Sequence, residues 1–373
     1  MNNISIALLV AFLISFLVTN FLVPRLLVAS LKRRLLDVPN KRSSHHVIAS
    51  RLGGVSFLPS VLVSVCAVVA LWQVFDNVLI APSEALQYII LICACVVMYA
   101  VGLFDDVVGL KFKMKFVAQF VASVLIVSSG VWVDNFHGLF GVNEVAMWIG
   151  TPFTILLIMF VINAVNLIDG IDGLASGLSI VAMVVYGLLF TYLGDNGQAL
   201  VAFSLVGCLI AFFYYNVRGF SNKTIKIFMG DTGSLVTGTI ISLCAIKLIQ
   251  SDTVGADMSG FSMLMAYSVL VVPCFDAIRV MIERRRNGKS MFLPDKNHIH
   301  HRVLSLGLNE RVSMIVIVCL SVVITLLNAG LYFLLSIEWI ILVDVVVFAL
   351  FHAYISRAIA SQKKLKTKIN SIL

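Results

Sequence analysis

The sequence predicts an all-α polytopic membrane protein, a bundle of about eleven transmembrane helices in one integral-membrane domain over residues 1–373. Hydrophobic residues make up 60% of the 373-residue chain and charged residues only 12%, about half the charged share of a soluble domain. The apolar residues form runs long enough to cross a bilayer as helices. The predicted spans lie near 4–24, 53–75, 86–104, 116–133, 147–168, 175–193, 199–215, 233–250, 262–282, 312–335 and 338–356.

The first of these runs, residues 4–24, would measure roughly 30 Å as a helix. It lacks a basic segment before it and a small-residue cleavage site after it, so we interpret it as a retained span and not a signal peptide. The seven cysteines all fall inside apolar runs. This placement favours small buried hydrophobic side chains over a disulfide framework.

The orientation follows from the 27 lysines and arginines, of which all but Lys247 fall in the odd-numbered loops and the C-terminal tail. Acids such as Asp134 and Asp195 occupy the even-numbered loops. By the positive-inside rule, the odd loops and the C-terminus are cytoplasmic and the N-terminus lies outside. The net charge of +8 is therefore a topology signal, and nucleic acid is not an expected partner.

Asp105 and Asp106 close the third predicted span, and Lys111, Lys113 and Lys115 follow directly. Adjacent carboxylates repel each other unless a cation intervenes. Carboxylates that persist beside hydrocarbon usually serve ions or substrates. The aspartate pair is therefore a candidate site, whereas the lysines by themselves are better explained as side chains that reach the membrane surface.

The segment 163–173, NAVNLIDGIDG, carries the strongest single signal. Asn166, Asp169 and Asp172 recur every three residues, so a helical turn would place them along one face. Gly170 and Gly173 permit a tight turn and a close approach of the backbone to a ligand. Because no lysine or arginine lies within the segment, we expect its acids to be functional and not part of an ordinary loop.

Asp231 lies in the segment GDTGS at 230–234, which opens the eighth span. A helix N-terminus with glycines binds phosphate readily, although a lone aspartate could also serve simply as the helix cap. Mg²⁺ prefers one or two carboxylates together with phosphate oxygens and water. Asp231 and the other acids could therefore share a Mg²⁺ that bridges to a diphosphate.

The segment NHIHHR at 297–302 brings three histidines beside Lys296 and Arg302. Histidines bind zinc, transfer protons or, when protonated, hold phosphate. The basic neighbours and the lack of a cytoplasmic cysteine favour an anionic ligand over zinc.

Five motifs, in this order, resemble the polyprenyl-phosphate N-acetylhexosamine-1-phosphate transferases, glycosyltransferase family 4. That family includes the enzymes that initiate enterobacterial common antigen and teichoic acid, and it is related to the phospho-MurNAc-pentapeptide translocase. The matching stretches are DVPNKRSSH at 37–45 with Gly53 and Gly54, FDD at 104–106 with Lys115 and Gln119, NLIDGIDG at 166–173, Asn216 with KIFMGDTGSL at 226–235, and HIHH at 298–301.

The resemblance implies an enzyme that transfers HexNAc-1-phosphate, by default GlcNAc-1-phosphate, from a UDP-sugar to undecaprenyl phosphate and releases UMP. It implies Mg²⁺, with Mn²⁺ as a substitute, and a bacterial plasma-membrane location with the site on the cytoplasmic face. Its implied metal ligands are Asp231 and Asn166. The implied substrate-binding residues are Asn166, Asn216, Phe228 and Arg302. The implied catalytic residues are Asp105, Asp106, Lys115, Asp169, Asp172, His298, His300 and His301.

Two other classes remain open from the residues alone. An intramembrane prenyltransferase also uses Mg²⁺ and aspartates, but residues 105–109, DDVVG, lack the third aspartate expected of that fold. An ion-coupled transporter would carry its acids at mid-span, whereas these acids cluster at one face. The sequence also leaves open the identity of the sugar, the glycan that is initiated and whether the chain forms a homodimer.

Overall fold

The computed structural model describes residues 3–36, 48–75, 78–220, 225–250, 256–288 and 297–370. This part of the chain is a bundle of thirteen α-helices with one pair of short strands, which confirms the predicted all-α class. Segment 37–45 and Lys296 lie outside the described residues. The helices are α1 (Asn3–Arg33), α2 (Phe57–Val74), α3 (Ala85–Val108), α4 (Phe112–Ser128), α5 (Met147–Ile168), α6 (Leu174–Leu193), α7 (Asn196–Arg218), α8 (Gly230–Ile249), α9 (Ala256–Ser268), α10 (Val271–Arg286), α11 (Ile299–Leu304), α12 (Glu310–Leu331) and α13 (Ile337–Asn370).

The predicted spans match helices except at two places. Among the described residues, nine helices are long and apolar enough to cross a membrane. Helix α4 has only 17 residues, at the short end of what a bilayer requires. The predicted span at 262–282 is two helices, α9 and α10, which meet at a bend of 60°. Pro273 explains this break, because its ring carries no N–H and would clash with the carbonyl of Val269 in a continuous helix.

Helix α8 forms the centre of the bundle, with 89% of its span buried. Small and hydroxyl residues along it let other helices approach closely, as is common in membrane bundles. At Gly102 of α3, an added Cβ would lie 2.5 Å from the Cα of Thr232, so only glycine fits this crossing. The crossing brings the end of α3 directly against the start of α8.

A short parallel pair of strands, β1 (Ile48–Ser50) and β2 (Ile225–Ile227), fixes the other side of the same helix start. The Gly53 amide donates to the Phe228 carbonyl at 3.1 Å, and the Gly54 amide donates to the Met229 carbonyl at 2.9 Å. The Gly-Gly motif therefore supports the turn that leads into Asp231.

Candidate active site

The end of α3 and the starts of α4 and α8 bring two carboxylates to one lysine. The Lys115 ammonium lies 2.7 Å from Oδ2 of Asp105 and 3.2 Å from Oδ1 of Asp231. The three side chains are partly buried, so water screens their attraction less than it would at an open surface. This acid–lysine–acid cluster joins three of the predicted site residues.

Asp106 faces a different way from its neighbour Asp105. Its carboxylate accepts hydrogen bonds from the amides of Asp231 at 2.8 Å and Thr232 at 2.9 Å, and from the Thr232 hydroxyl at 2.6 Å. A carboxylate at a helix N-terminus satisfies amides that have no partner within the helix and interacts favourably with the helix dipole. Asp106 thus caps α8 from a neighbouring helix, a role that the sequence did not indicate.

Asn166 joins α5 to the same cluster. Its amide nitrogen donates to Oδ1 of Asp231 at 2.5 Å and to the Ser234 hydroxyl at 2.8 Å. The amide therefore fixes the orientation of the Asp231 carboxylate, while its own carbonyl oxygen still has acceptor capacity.

Asp169 lies at the end of α5, just beyond Asn166 in the chain. Burial raises the pKa of its carboxyl to about 7, and the nearby charges of Asp231 and Asp172 add to the rise. Asp172, by contrast, has a basic partner that its own segment does not contain. No basic residue lies nearby in sequence, but the fold brings the Lys226 ammonium into an ion pair with Asp172, and Glu310 lies 3.6 Å from the same ammonium.

Asn216 is buried and uses both ends of its side-chain amide. Its oxygen accepts from the Gly173 amide at 2.6 Å, and its nitrogen donates to the Ile227 carbonyl at 2.8 Å. It thereby joins the turn after Asp172 to strand β2. Phe228, half-buried, follows β2 directly, and its amide donates to the Ser50 carbonyl at 2.7 Å.

The histidine segment is held by α10. Nδ1 of the buried His298 lies 2.8 Å from Oδ2 of Asp276, and the Ile299 amide donates to the other oxygen of that carboxylate at 2.9 Å. Arg279 adds an ion pair to Asp276 at 2.8 Å. The carboxylate of Asp276 therefore orients the His298 ring and the start of α11 together.

His300 is also buried, and its Nδ1 has no hydrogen-bond partner. Burial lowers the pKa of its imidazole to about 3, and the neighbouring His301 and His298 lower it further. The imidazole is therefore neutral at physiological pH, so it serves as a hydrogen-bonding group and not as a cation. Nε2 of the same ring lies so close to Gly170 that an added Cβ there would come within 2.0 Å of it.

Lys115, Asn166 and the histidines line a cavity of about 540 Å³ between α4, α5, α10 and the histidine segment. Its polar end holds Lys115, Asn166 and the histidines, and its other walls are mainly apolar. The lining consists of Phe112, Lys115, Phe116, Gln119, Leu156, Met159, Phe160, Asn163, Asn166, Leu167, Gly170, Ala277, Val280, Met281, Arg284, His298, His300 and His301.

Arg302 points elsewhere, since its guanidinium donates to the Ser356 hydroxyl and to the His352 carbonyl on α13.

The sequence-based site also omitted several lining residues. Gln119 and Asn163 exchange amide hydrogen bonds at 3.2 and 2.6 Å, which tie α4 to α5. Their spacing, four residues after Lys115 and three before Asn166, was a signal in the sequence. Arg284 on α10 lines the cavity as well.

The oxygen atoms of the acidic cluster fit a divalent cation whose remaining coordination positions are filled by the substrate. Two carboxylates, Asp231 and Asp105, converge on one ammonium, and the side-chain amide of Asn166 contacts Asp231. Mg²⁺ takes one or two carboxylates and fills its remaining positions with phosphate oxygens and water. Within the described residues, no three histidine, cysteine or acidic side chains form a complete protein cage.

The sequence is similar to known proteins over most of its length. The family model of glycosyl transferase family 4 matches residues 88–249. A probable undecaprenyl-phosphate N-acetylglucosaminyl 1-phosphate transferase of Bacillus subtilis (strain 168) is 30% identical over 317 residues, 84% of this chain and 81% of the relative. The chain belongs to glycosyl transferase family 4.

Enterobacterial members of this family are similar to the chain as well. The undecaprenyl-phosphate alpha-N-acetylglucosaminyl 1-phosphate transferase of Salmonella typhi is 30% identical over 77% of this chain and 74% of its own length. The Escherichia coli (strain K12) protein of the same name is 28% identical over 76% of this chain and 72% of its own. The resemblance predicted from the five motifs is thus confirmed at the level of the family.

Proposed function

We propose that this family 4 transferase moves GlcNAc-1-phosphate from UDP-GlcNAc to undecaprenyl phosphate and releases UMP, an initiating step of cell-surface glycan synthesis. The main structural support for this proposal is the Lys115 ammonium, which lies between Asp105 and Asp231 at the polar end of a cavity with largely apolar walls. Such a cavity suits an anionic head on a hydrocarbon chain. The names of the relatives support the donor and the acceptor.

The reaction forms one P–O bond and breaks another. An oxygen of the lipid phosphate attacks the β-phosphorus of the UDP-sugar, and UMP leaves with the electron pair of the broken bond. A phosphomonoester has a second pKa near 6, so the nucleophile needs little help to lose its proton. Asp105 positions the nucleophile, and Lys115 offsets the charge that gathers on the phosphoryl oxygens.

Mg²⁺ belongs to this proposal. Asp231 would hold it, with Asn166 beside it, and the ion would supply charge stabilisation to the diphosphate. Asn166 restricts the Asp231 carboxylate to one orientation through its amide hydrogen bond. The histidines at 298–301 would bind the sugar or the diphosphate by hydrogen bonds, with His298 held in place by Asp276.

The location is also proposed. By the positive-inside rule, the ends of α3 and α5 and the start of α8 would lie on the cytoplasmic side of a bacterial plasma membrane. UDP-sugars would then reach the polar end of the cavity from the cytoplasm. The acceptor would enter from the bilayer between α4 and α10.

The two other classes receive less support. A prenyltransferase would break a bond of the lipid itself, and an ion-coupled transporter would release no UMP. The similar proteins of Bacillus subtilis, Salmonella typhi and Escherichia coli are named as N-acetylglucosaminyl 1-phosphate transferases, which favours phosphosugar transfer over both other classes.

Purified protein in detergent with UDP-GlcNAc, undecaprenyl phosphate and Mg²⁺ tests the proposal. We expect UMP release that requires the lipid and stops with a chelator. Asp231→Asn should lower turnover at least about a hundredfold, because metal stabilisation of transferring phosphoryl groups is worth several kcal/mol. Asp134→Asn, in the loop before α5, is the matched control and should remain active. Near-normal turnover of Asp231→Asn with unchanged Mg²⁺ dependence would overturn the metal assignment.

A further inference from the structure

A second group of polar side chains lies within the bundle, away from the candidate active site. Asp344 of α13, Asn328 of α12 and Ser268 of α9 are each fully buried, at 0% exposure. The Asn328 amide nitrogen donates to Oδ2 of Asp344 at 2.8 Å and lies 2.9 Å from the Ser268 hydroxyl. Asp344 is seven residues into α13, roughly 10 Å along the helix, and therefore at hydrocarbon depth.

Some buried polar atoms of this group have no hydrogen-bond partner. Oδ1 of Asp344, Oδ1 of Asn328 and the hydroxyl of Tyr267 beside Asp344 are buried and have no hydrogen-bond partner, and the single tyrosine proton can satisfy only one of the two acceptors. Among the described residues, no lysine, arginine or histidine forms an ion pair with Asp344. A lone carboxylate in hydrocarbon is very costly, and an ionised carboxylate and an amide oxygen are both acceptors, so neither can satisfy the other.

We propose that Asp344 is an uncharged, protonated carboxylic acid that forms a cyclic acid–amide pair with Asn328. A single proton on Oδ1 of Asp344 is donated to Oδ1 of Asn328, while the amide nitrogen donates to Oδ2. Both unpartnered acceptors are satisfied by that one proton, and the membrane interior contains no net charge at this point. The site is thus a proton-binding site between α12 and α13.

The position of the pair gives it a role in the proposed reaction. Ser268 is the last residue of α9, immediately before the bend into α10. Asp276 lies on α10 just beyond the bend and holds His298. Through Ser268, the acid–amide pair therefore holds the end of α9 at the bend, and α10 beyond the bend carries the support for the histidine segment. This positioning role rests on the proposed function, whereas the protonation of Asp344 does not.

Infrared difference spectroscopy between the wild type and Asp344→Asn tests the protonation without an activity assay. We expect the wild type at neutral pH to show a protonated-carboxyl C=O band that shifts in D₂O and is missing from Asp344→Asn. Asp134→Asn, a substitution in a loop, should leave this band in place. A carboxylate band in its stead would overturn the proposal.

Activity of the same variants tests the positioning role. Asparagine at 344 can form the same cyclic pair with Asn328, so Asp344→Asn should keep turnover within about twofold. Asn328→Leu removes the pair and should lower turnover about tenfold or more, with a monodisperse elution profile as the check on folding. Loss of activity in a well-folded Asp344→Asn would show that the charge is needed and would overturn the proposal.

The alkaline limb of the pH profile separates this role from simple packing. The side chains that face Asp344 are Tyr267 of α9 and the uncharged Asn328 of α12, with Cys274 of α10 next to Tyr267. Deprotonation of Asp344 would break the pair, so wild-type activity should fall at alkaline pH before that of Asp344→Asn. Superimposable profiles would overturn the positioning role. Wild-type protein without any transferase activity would instead refute the proposed function and leave the infrared result standing.

Discussion

The carboxylate of Asp106 accepts hydrogen bonds from both the amide and the hydroxyl of Thr232, at 2.9 and 2.6 Å. These bonds join the C-terminal part of helix α3 to the first turn of helix α8. Its neighbour Asp105 instead faces Lys115. Two adjacent aspartates therefore have separate tasks. Asp106 holds the helix that presents Asp231, and Asp105 lies in the charged cluster.

Substitution of the two aspartates should separate these tasks. Asp106→Ala removes a helix cap and should lower the free energy of unfolding by about 1–2 kcal/mol together with activity. Asp105→Asn should abolish transfer while leaving the thermal unfolding midpoint close to that of the wild type. Thermal unfolding in detergent and UMP release measure both effects. Equal destabilisation by the two variants would contradict the division of roles.

Gly170→Ala should impair the site through His300. A Cβ at position 170 would come within 2.0 Å of Nε2 of that ring, so the imidazole must move out of the cavity. We expect turnover to fall at least about tenfold with little loss of expression. Gly330→Ala on α12, where an added Cβ meets nothing within 4 Å, is the matched control and should stay fully active. An active Gly170→Ala protein would show that the reaction does not need His300 in its buried position.

Stability should depend on pH through His300. The pKa of the folded imidazole is about 3, below the ordinary 6.5. Below pH 6.5 the unfolded chain binds a proton that the folded chain does not, so stability is complete above 6.5 and is lost as the pH falls towards 3. Between about pH 7 and 5, the unfolding temperature of the wild type should therefore fall more steeply than that of His300→Gln. Parallel curves would show that this imidazole ionises normally in the folded protein.

Cysteine labelling should establish the orientation. In a background without the native cysteines, Gly138→Cys in the loop before α5 should react with a membrane-impermeant thiol reagent added to intact cells. Gly288→Cys, just after α10, should react only after lysis, because the positive-inside rule places it in the cytoplasm. Labelling of position 288 in intact cells would contradict the proposed orientation. The candidate site would then face away from the cytoplasm, where UDP-sugars are found.

Much of the site could be predicted from the sequence, because polar residues next to hydrocarbon are rare and costly. Asp105, Lys115, Asn166 and Asp231 stand out for that reason, and the charge bias of the loops placed them on one side. The structure brings all four together. The roles implied for each residue stay predictions, to be tested by the variants above.

Other features depend on contacts between segments that are distant in the chain. Lys226 pairs with Asp172 across 54 residues, and nothing in either segment marks the partner. The break between α9 and α10 follows from Pro273, yet the apolar run across it resembles one continuous span.

The sequence by itself determined the membrane class, the approximate spans, the expected orientation and the family motifs, because hydropathy, charge bias and residue type are local properties. Only the tertiary structure decided which of two chemically identical aspartates caps α8, where Arg302 points, and that Asp344 meets Asn328. Hydrogen-bond geometry and burial depend on the neighbour that packing supplies, and a single run of residues does not contain that neighbour.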